Sequence, residues 1–235
     1  QPVVLAKEVA TIDWFSGGRL ELGLGAGWVE TEYEAMGIAM DRPGVRIDRM
    51  VETLELVRQH YSGDQIEVLG QHVRASGFSG APTMDRVPPI MIGGGSKRVL
   101  GIAGREADIV SINFNNSAGK IGPEGVGSGT VDGTSQKIEW IRAGAGERFS
   151  ELEIEIGAYF TVVTDHRDAV QGEFAKLFGL DVSDIANHPH CLIGPVEELV
   201  EKIQQRREEL GINYVTFGGA VIDDVAPIID ALSGT

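Results

Sequence analysis

Five short apolar segments, each followed by a segment of helical periodicity, constrain the fold of this chain more than any other feature. Their apolar residues are consecutive instead of alternating, which is typical of strands buried on both faces of a parallel sheet. The sequence therefore predicts an α/β fold class, with helices packed on a parallel sheet. The predicted strands lie at residues 20–25, 89–92, 107–112, 152–163 and 214–217.

Amphipathic segments separate these strands. Gly17 and Gly18 follow the first of them, at a position where glycine commonly ends a helix. Residues 66–73 predict a β-hairpin that turns at Gly70. No repeat or linker divides the chain, so we expect a single domain over residues 1–235. The predicted helices span residues 2–15, 43–61, 96–104, 135–145, 167–178, 195–210 and 223–232.

Two architectures accommodate five parallel strands. A (β/α)8 TIM barrel has eight strands, and a chain that begins with a helix and supplies five would lack the first three. The alternative is an open, doubly wound sheet. The barrel interpretation predicts that three further strands precede Gln1 in the natural protein.

The charge balance argues against a nucleic-acid partner. The formal net charge is -15, with 35 acidic against 20 basic residues, so a polyanion would be repelled over most of the surface. No apolar run approaches the ~18 residues that cross a membrane, and we expect no membrane partner. Cys191 is the single cysteine, which excludes an internal disulfide framework and leads us to expect a cytoplasmic protein.

A glycine-rich segment ends the first predicted strand. Gly25, Ala26 and Gly27 carry almost no side chain, so a flat ring system could lie directly on their peptide planes. Trp28 follows and stands where a dinucleotide-binding fingerprint would need its third glycine, so we reject a Rossmann fold. The competing interpretation is that the glycines relieve crowding where a strand meets a loop.

A second glycine-rich segment joins the next predicted strand to a helix. Gly93, Gly94 and Gly95 allow a close approach to the backbone, and Ser96 can cap the helix or donate its hydroxyl to a phosphate oxygen. The first N–H groups of the helix and its dipole favour an anion, and Lys97 and Arg98 add positive charge. The segment predicts a phosphate site; the alternative is a plain turn between strand and helix.

Other candidate groups give weaker signals. His188, His190 and Cys191 lack the second, distant pair of ligands that a zinc site uses, so we expect no metal, and Cys191 suits a small core residue. Asn113 ends a predicted strand, where it either reaches a ligand or starts the loop. Residues 115–134 are rich in Gly, Ser and Asn, which predicts a long loop that could act as a lid.

Several motifs in order resemble the bacterial luciferase-like monooxygenase superfamily, and most closely its branch dependent on the deazaflavin coenzyme F420. The resemblance covers nearly the whole chain. It begins with Leu5-Ala6-Lys7-Glu8 followed by the glycine-rich strand that ends at Trp28, and it includes the Pro-Pro strand that ends in Gly93-Gly94-Gly95. The matching segments are residues 5–8, 20–28, 33–37, 46–61, 88–96, 100–108 and 194–198.

The resemblance implies a TIM barrel that binds F420 or FMN at the carboxyl ends of its strands. It places Gly25, Ala26 and Gly27 near the ring system and Gly93 to Ser96 at the cofactor phosphate. The family's residues on its first three strands have no counterpart in this sequence, so the catalytic acid or base is unknown. Trp28 stands where the sugar-phosphate dehydrogenases of this branch have a glutamate, which favours an apolar or aromatic substrate.

The hypothesis for function is therefore an oxidoreductase that transfers a hydride between coenzyme F420 and an organic small molecule. In this hypothesis Lys97 and Arg98 assist in holding the phosphate, and Trp28 and Asn113 line the substrate pocket. One alternative is an FMN-dependent monooxygenase of the same fold, since the two cofactors share ring shape and phosphate position. Another is a non-catalytic flavin-binding protein. By analogy with the family we expect a homodimer.

Overall fold

The computed structural model describes residues 1–116, 119 and 122–234. The chain divides into two compact units, Gln1–Ile92 and Gly93–Thr235. In the part of the chain that the structure describes, no helix is both long and apolar enough to cross a membrane.

The first unit places a short parallel strand pair beside helices. Its helices are α1 Pro2–Ser16, α2 Glu30–Ala35 and α3 Pro43–Ser62, and its strands are β1 Leu22–Leu24, β2 Gln65–Leu69, β3 Arg74–Ser79 and the first residues of β4 Ile90–Gly94. Leu22 of β1 lies opposite Ile90 of β4 in a parallel register. β2 and β3 pair antiparallel, which confirms the predicted hairpin.

The glycine pair after α1 behaves as predicted. Gly17 has φ 68° and ψ 37°, a left-handed conformation that is strained for residues with a side chain, and its N–H bonds to carbonyls of the last helical turn. A proline at the start of α1 and of α3 likewise agrees with the predicted helix starts.

The second unit alternates helix and strand. Its helices are α4 Lys97–Glu106, α5 Pro123–Gly127, α6 Val131–Ala145, α7 Arg167–Phe178, α8 Val182–Asn187, α9 Val196–Leu210 and α10 Ile222–Leu232. Its strands are β5 Ile109–Ile112, β6 Glu153–Ala158, β7 Phe160–Val163, β8 Cys191–Gly194 and β9 Tyr214–Phe217. β6 pairs in parallel with β5 on one side and with β9 on the other, which confirms the parallel α/β class.

The structure corrects the predicted strand at 152–163. It is two strands, β6 and β7, interrupted at Tyr159, and β7 pairs with β8 in a separate parallel pair. β8 was not predicted. Within the described ranges the strands do not close on themselves, so the closed barrel and its three missing strands stay predictions.

The two faces of the sheet formed by β5, β6 and β9 differ in polarity. Val215 and Phe217 of β9 pack against the buried cluster of Ala158, Leu192, Leu199, Val225 and Ile228. Because side chains alternate along a strand, Thr216 points to the opposite face, where its hydroxyl donates to Oε1 of Glu155 at 2.6 Å. That face therefore carries polar groups.

A carboxylate on α3 holds the hairpin of the first unit. Oε1 of Glu52 accepts the N–H of Gln71 at 2.9 Å, and Oε2 accepts those of His72 and Val73 at 2.7 and 2.6 Å. Partial burial works to raise the pKa of Glu52, but these three donors bring it below its usual value. A Cβ on Gly70 would overlap the Glu52 carboxyl group, so glycine at this turn leaves that group its space.

Glu52→Gln should destabilise the first unit by about 2 kcal/mol at neutral pH, because an NH2 group would face backbone donors that need an acceptor. Urea unfolding measures the loss, with the exposed Glu8→Gln on α1 as a control that changes little. Since the folded pKa is lowered, the stabilisation by Glu52 is present above the unfolded value of 4.5 and disappears as the pH falls through the folded pKa. A difference between variant and native protein that persists at low pH would contradict this role.

Candidate functional site

The turn between β4 and α4 contains the predicted phosphate-binding residues. A Cβ on Gly94 would overlap the Val99 side chain, and one on Gly95 would collide with the carbonyl oxygen of Phe114, so internal packing alone requires glycine at both positions. A Cβ on Gly93 would lie 3.1 Å from Nδ2 of Asn113. Gly93 is therefore the glycine that keeps space open beside a predicted pocket residue.

The start of α4 can hold an anion. Ser96 caps the helix, with its Oγ accepting the N–H of Val99 at 3.5 Å. The first N–H groups of a helix have no intrahelical carbonyl to bind, and the helix dipole adds partial positive charge. Lys97 and Arg98 are exposed at this end. The arrangement suits a phosphate group, as the sequence predicts.

Asn113 is held at four of its atoms. Its N–H donates to the carbonyl of Gly94 at 2.9 Å, and its own carbonyl accepts from Nζ of Lys137 at 2.8 Å. Its Nδ2 donates to Oγ of Ser111 at 3.2 Å, and its Oδ1 accepts the hydroxyl hydrogen of Tyr159. Asn113 therefore has a fixed side-chain orientation at the carboxyl end of β5, next to Gly93.

Tyr159 and His190 form a stacked pair at the end of β6. Their ring centroids are 5.1 Å apart and the planes differ by 4°, while Phe114 contacts both rings edge-on. Nδ1 of His190 lies 2.8 Å from the carbonyl of Gly157 and donates to it. Burial lowers the pKa of His190 to about 3, and burial followed by the nearby Glu155 raises the pKa of Tyr159. Both rings are therefore uncharged at neutral pH.

Lys137 is an unusual buried ammonium. It lies on α6, is 2% exposed and donates to the carbonyl of Asn113. Burial lowers its pKa to about 8. His188, also buried, has Nε2 at 2.9 Å from the carbonyl of Val126 and accepts the N–H of His190 on Nδ1.

No group of three His, Cys, Asp or Glu side chains that could hold a metal lies within the described residues. Cys191 packs in a buried cluster with Ala175, Ile185 and Ile193, and burial raises its pKa to about 12. The prediction that Cys191 is a core residue is confirmed.

The loop after β1 carries the predicted ring-binding residues of the first unit. Gly25 and Gly27 are exposed, and Trp28 is 37% exposed. Gly27 has φ 73°, and a Cβ there would collide with the hydroxyl of Tyr33. The buried Arg46 of α3 donates through its guanidinium to the carbonyls of Ala26 and Gly27. This clamp fixes the peptide planes on which a flat ring could lie.

The luciferase-like monooxygenase family model matches residues 1–181 of the chain. The chain belongs to this family. The resemblance predicted from its motifs is thereby confirmed.

Curated relatives of the chain include a monooxygenase and a reductase. The FMNH(2)-dependent dimethylsulfone monooxygenase of Pseudomonas fluorescens (strain Pf0-1) is 26% identical over 177 residues, which cover 75% of this chain and 44% of the relative. The 5,10-methylenetetrahydromethanopterin reductase of Archaeoglobus fulgidus is 32% identical over 115 residues, covering 49% of this chain and 33% of the relative. The chain thus spans less than half the length of these relatives.

Solved structures of luciferase-like enzymes share the fold. An F420-dependent secondary alcohol dehydrogenase in complex with an F420-acetone adduct has a TM-score of 0.68 at 20% identity, over 93% of this chain and 69% of that one. The long-chain alkane monooxygenase LadA has a TM-score of 0.71 at 17% identity, over 99% and 66%. An F420-dependent enzyme and a monooxygenase therefore occur among its structural neighbours, and the α/β fold is that of the family.

Several residues of the candidate site are not predicted from the sequence. Arg46, Lys137 and Tyr159 carry no sequence signal as site residues, because burial and partners distant in sequence define their positions. His190 is considered from sequence only as a metal ligand, and its stacking on Tyr159 is not predicted. Tyr159 lies inside the predicted strand 152–163, where it resembles an ordinary strand residue. Among the predicted residues, Gly93 and Asn113 are brought together within the second unit.

Arg46→Met should loosen the loop after β1, because methionine retains the apolar stem of the side chain but cannot donate to the two carbonyls. We expect amide hydrogen exchange of residues 24–28 to rise by about 10-fold or more, since a hydrogen bond to a charged group contributes about 1.5–3 kcal/mol. Mass spectrometry of the corresponding peptide measures it. Arg49 lies on the same helix and forms an exposed ion pair with Asp41, which precedes the helix, so Arg49→Met serves as the control. Equal exchange in the two variants would exclude the clamp.

Proposed function

We propose that the chain forms part of an oxidoreductase that passes a hydride between coenzyme F420 and an organic small molecule. The observation that carries the proposal is the β4–α4 turn, where glycines, the N-terminus of α4 and the exposed Lys97 and Arg98 suit a phosphate. The F420-dependent enzymes among its structural neighbours support this choice of cofactor.

In this proposal each residue has a binding task. Gly93, Gly94, Gly95 and Ser96 hold the phosphate, with Lys97 and Arg98 adding charge. Gly25, Ala26 and Gly27, fixed by Arg46, contact the ring system. The cofactor supplies the hydride when bound, and the chain positions it and shapes the pocket. The half-exposed Trp28 favours an apolar or aromatic substrate. Assembly as a homodimer and a cytoplasmic location stay predictions.

An FMN-dependent monooxygenase is the second candidate. Its support is that the FMNH(2)-dependent relative aligns with 75% of the chain, whereas the reductase aligns with 49%. The ring shape and phosphate position that the two cofactors share leave the same residues in the same tasks.

Anaerobic titrations with F420, FMN and riboflavin separate these candidates and test the phosphate site. Tight F420 binding with weak FMN binding supports the proposal, and the reverse supports the monooxygenase. FMN and riboflavin differ only in the phosphate, so FMN should bind about 10-fold or more tightly if the β4–α4 turn holds it.

The charge-reversal variant Lys97→Glu should reduce that preference, and Lys176→Glu, an exposed lysine on α7, should not. A chain that binds neither cofactor contradicts the proposal. Bound cofactor without turnover of either reduced cofactor, F420 or FMN, favours the non-catalytic binding protein.

A further inference from the structure

Tyr159 is half exposed, yet its ring is fixed from three sides. It is 51% exposed, at the point where β6 ends and β7 begins. One ring face stacks on His190, the ring edge meets Phe114 with centroids 5.5 Å apart, and the hydroxyl donates to Asn113. An exposed tyrosine with no task beyond solvation has no need of such restraint, because ordering a side chain costs conformational entropy.

The surroundings of Tyr159 are built to keep it in place. Gly157 leaves space for the ring, because a Cβ there would lie 2.5 Å from Cε1 of Tyr159. Asn113, which receives the hydroxyl hydrogen, is itself held by Gly94, Ser111 and Lys137. His190 supports the ring from behind as a buried, uncharged imidazole whose Nδ1 donates to Gly157.

The exposed side of the Tyr159–His190 pair offers a ligand an aromatic ring face and a hydroxyl oxygen. His190 covers one face of the Tyr159 ring while the residue stays 51% exposed, so we infer that the other face can stack on a planar ring of a ligand. The hydroxyl has committed its hydrogen to Asn113, so its oxygen can only accept a hydrogen bond from a ligand. The complementary ligand is a planar aromatic ring that carries an O–H or N–H donor.

We propose that Tyr159 is a substrate-binding platform for a planar aromatic compound with a hydrogen-bond donor, with Asn113 and His190 as its positioning residues. The inference deepens the proposed function by naming a substrate class, and it rests on that function only in calling the ligand a substrate. The competing explanation is that Tyr159 merely covers the buried His190.

Fluorescence titration with 2-naphthol and 2-methoxynaphthalene tests the platform, because the two probes share a planar ring and differ in the donor. Tyr159→Leu should weaken both probes by about 10-fold, through the loss of stacking and buried apolar area. Tyr159→Phe should keep the affinity for 2-methoxynaphthalene and lose a preference for 2-naphthol of about 3-fold or more. Leu177→Ala, which truncates an exposed apolar side chain on α7, is the control and should change neither.

Each outcome of these titrations either supports or overturns the proposed platform at Tyr159. Equal affinity of both probes in the native protein, absence of probe binding, or unchanged probe binding in Tyr159→Leu overturns the proposal. If Tyr159→Leu weakens FMN or F420 instead of the naphthyl probes, the ring contacts the cofactor and the inference is wrong. If the native chain binds neither cofactor but Tyr159 governs the probes, the platform stands while the proposed function fails. If Tyr159→Leu does not fold, Tyr159→Phe alone decides through the probe preference.

Discussion

Acidification from pH 6.5 towards pH 3 should remove up to about 5 kcal/mol of folding free energy through His190 alone. The pKa of this side chain is 6.5 when unfolded and about 3 when folded, and each pKa unit corresponds to about 1.4 kcal/mol. Because the folded value is the lower one, the stabilisation is complete above pH 6.5 and is lost as the pH falls towards the folded pKa. A domain of ordinary stability would unfold within this range.

This loss of stability on acidification arises because the imidazole of His190 is buried and has, within the described ranges, no hydrogen-bond acceptor for a second proton. Nδ1 of His190 already donates to the carbonyl of Gly157, and Nε2 is buried with no hydrogen-bond partner among the residues that the structure describes. A proton on Nε2 would leave a charged donor unsatisfied inside the protein. His188, Lys137 and Arg206 then add electrostatic repulsion to the cost of burial.

Urea unfolding between pH 7.5 and pH 4 measures this dependence. His190→Asn places an amide N–H near the position of Nδ1 and cannot take up a proton, so its stability should fall less steeply below pH 6.5, although the lost ring lowers its stability at pH 7.5. His166→Asn, at an exposed position, should keep the slope of the native protein. An unchanged slope in His190→Asn would show that other groups, such as His188 or His60, dominate.

Local chemistry explains which elements the sequence predicts correctly. α7 and β9 have the predicted bounds, since α7 ends at Gly179 in a left-handed conformation and β9 is a compact apolar segment. Helix ends marked by glycine and short apolar strands depend on neighbouring residues, so they can be recognised without tertiary contacts.

Elements that depend on tertiary pairing were missed. The apolar run 152–163 carries no sign that β6 and β7 join different strand pairs. Part of the predicted loop 115–134 is occupied by α5 and by the start of α6, which Thr130 caps through its side chain. The glycines of this segment indicate a loop, because glycine lowers helix propensity, but they do not exclude a packed helix. The lid hypothesis for this segment includes residues 117, 118, 120 and 121, which lie outside the described residues.

Lys137→Met should stabilise the folded protein by about 2 kcal/mol at pH 7. Burial lowers the pKa of Lys137 from 10.5 to about 8. This shift corresponds to about 3 kcal/mol by which the buried, charged ammonium destabilises the folded protein. Methionine fits a similar volume without charge, and the loss of the hydrogen bond to the Asn113 carbonyl takes back about 1 kcal/mol.

The difference in stability between Lys137→Met and the native protein should depend on pH, and this dependence shows whether the charge of Lys137 causes it. The folded pKa of Lys137 is below the unfolded one, so the native protein gains stability from this group as the pH rises from about 8 towards 10.5. The advantage of Lys137→Met should therefore shrink over that interval. Taking the difference removes the opposite contribution of Cys191, whose raised pKa destabilises the native fold above pH 9 in both proteins. Lys176→Met on the exposed face of α7 should alter neither stability nor its pH dependence.

A destabilised Lys137→Met would show that the contact with Asn113 outweighs the cost of burying the charge. If the variant is more stable, the native chain keeps a costly ammonium for a reason other than stability, as proteins do at functional sites. The Asn113 carbonyl is the one described partner of that ammonium, and the Asn113 side chain receives the Tyr159 hydroxyl. The stabilised variant should then discriminate less between 2-naphthol and 2-methoxynaphthalene, because Tyr159 would be held less firmly in the orientation that accepts a donor.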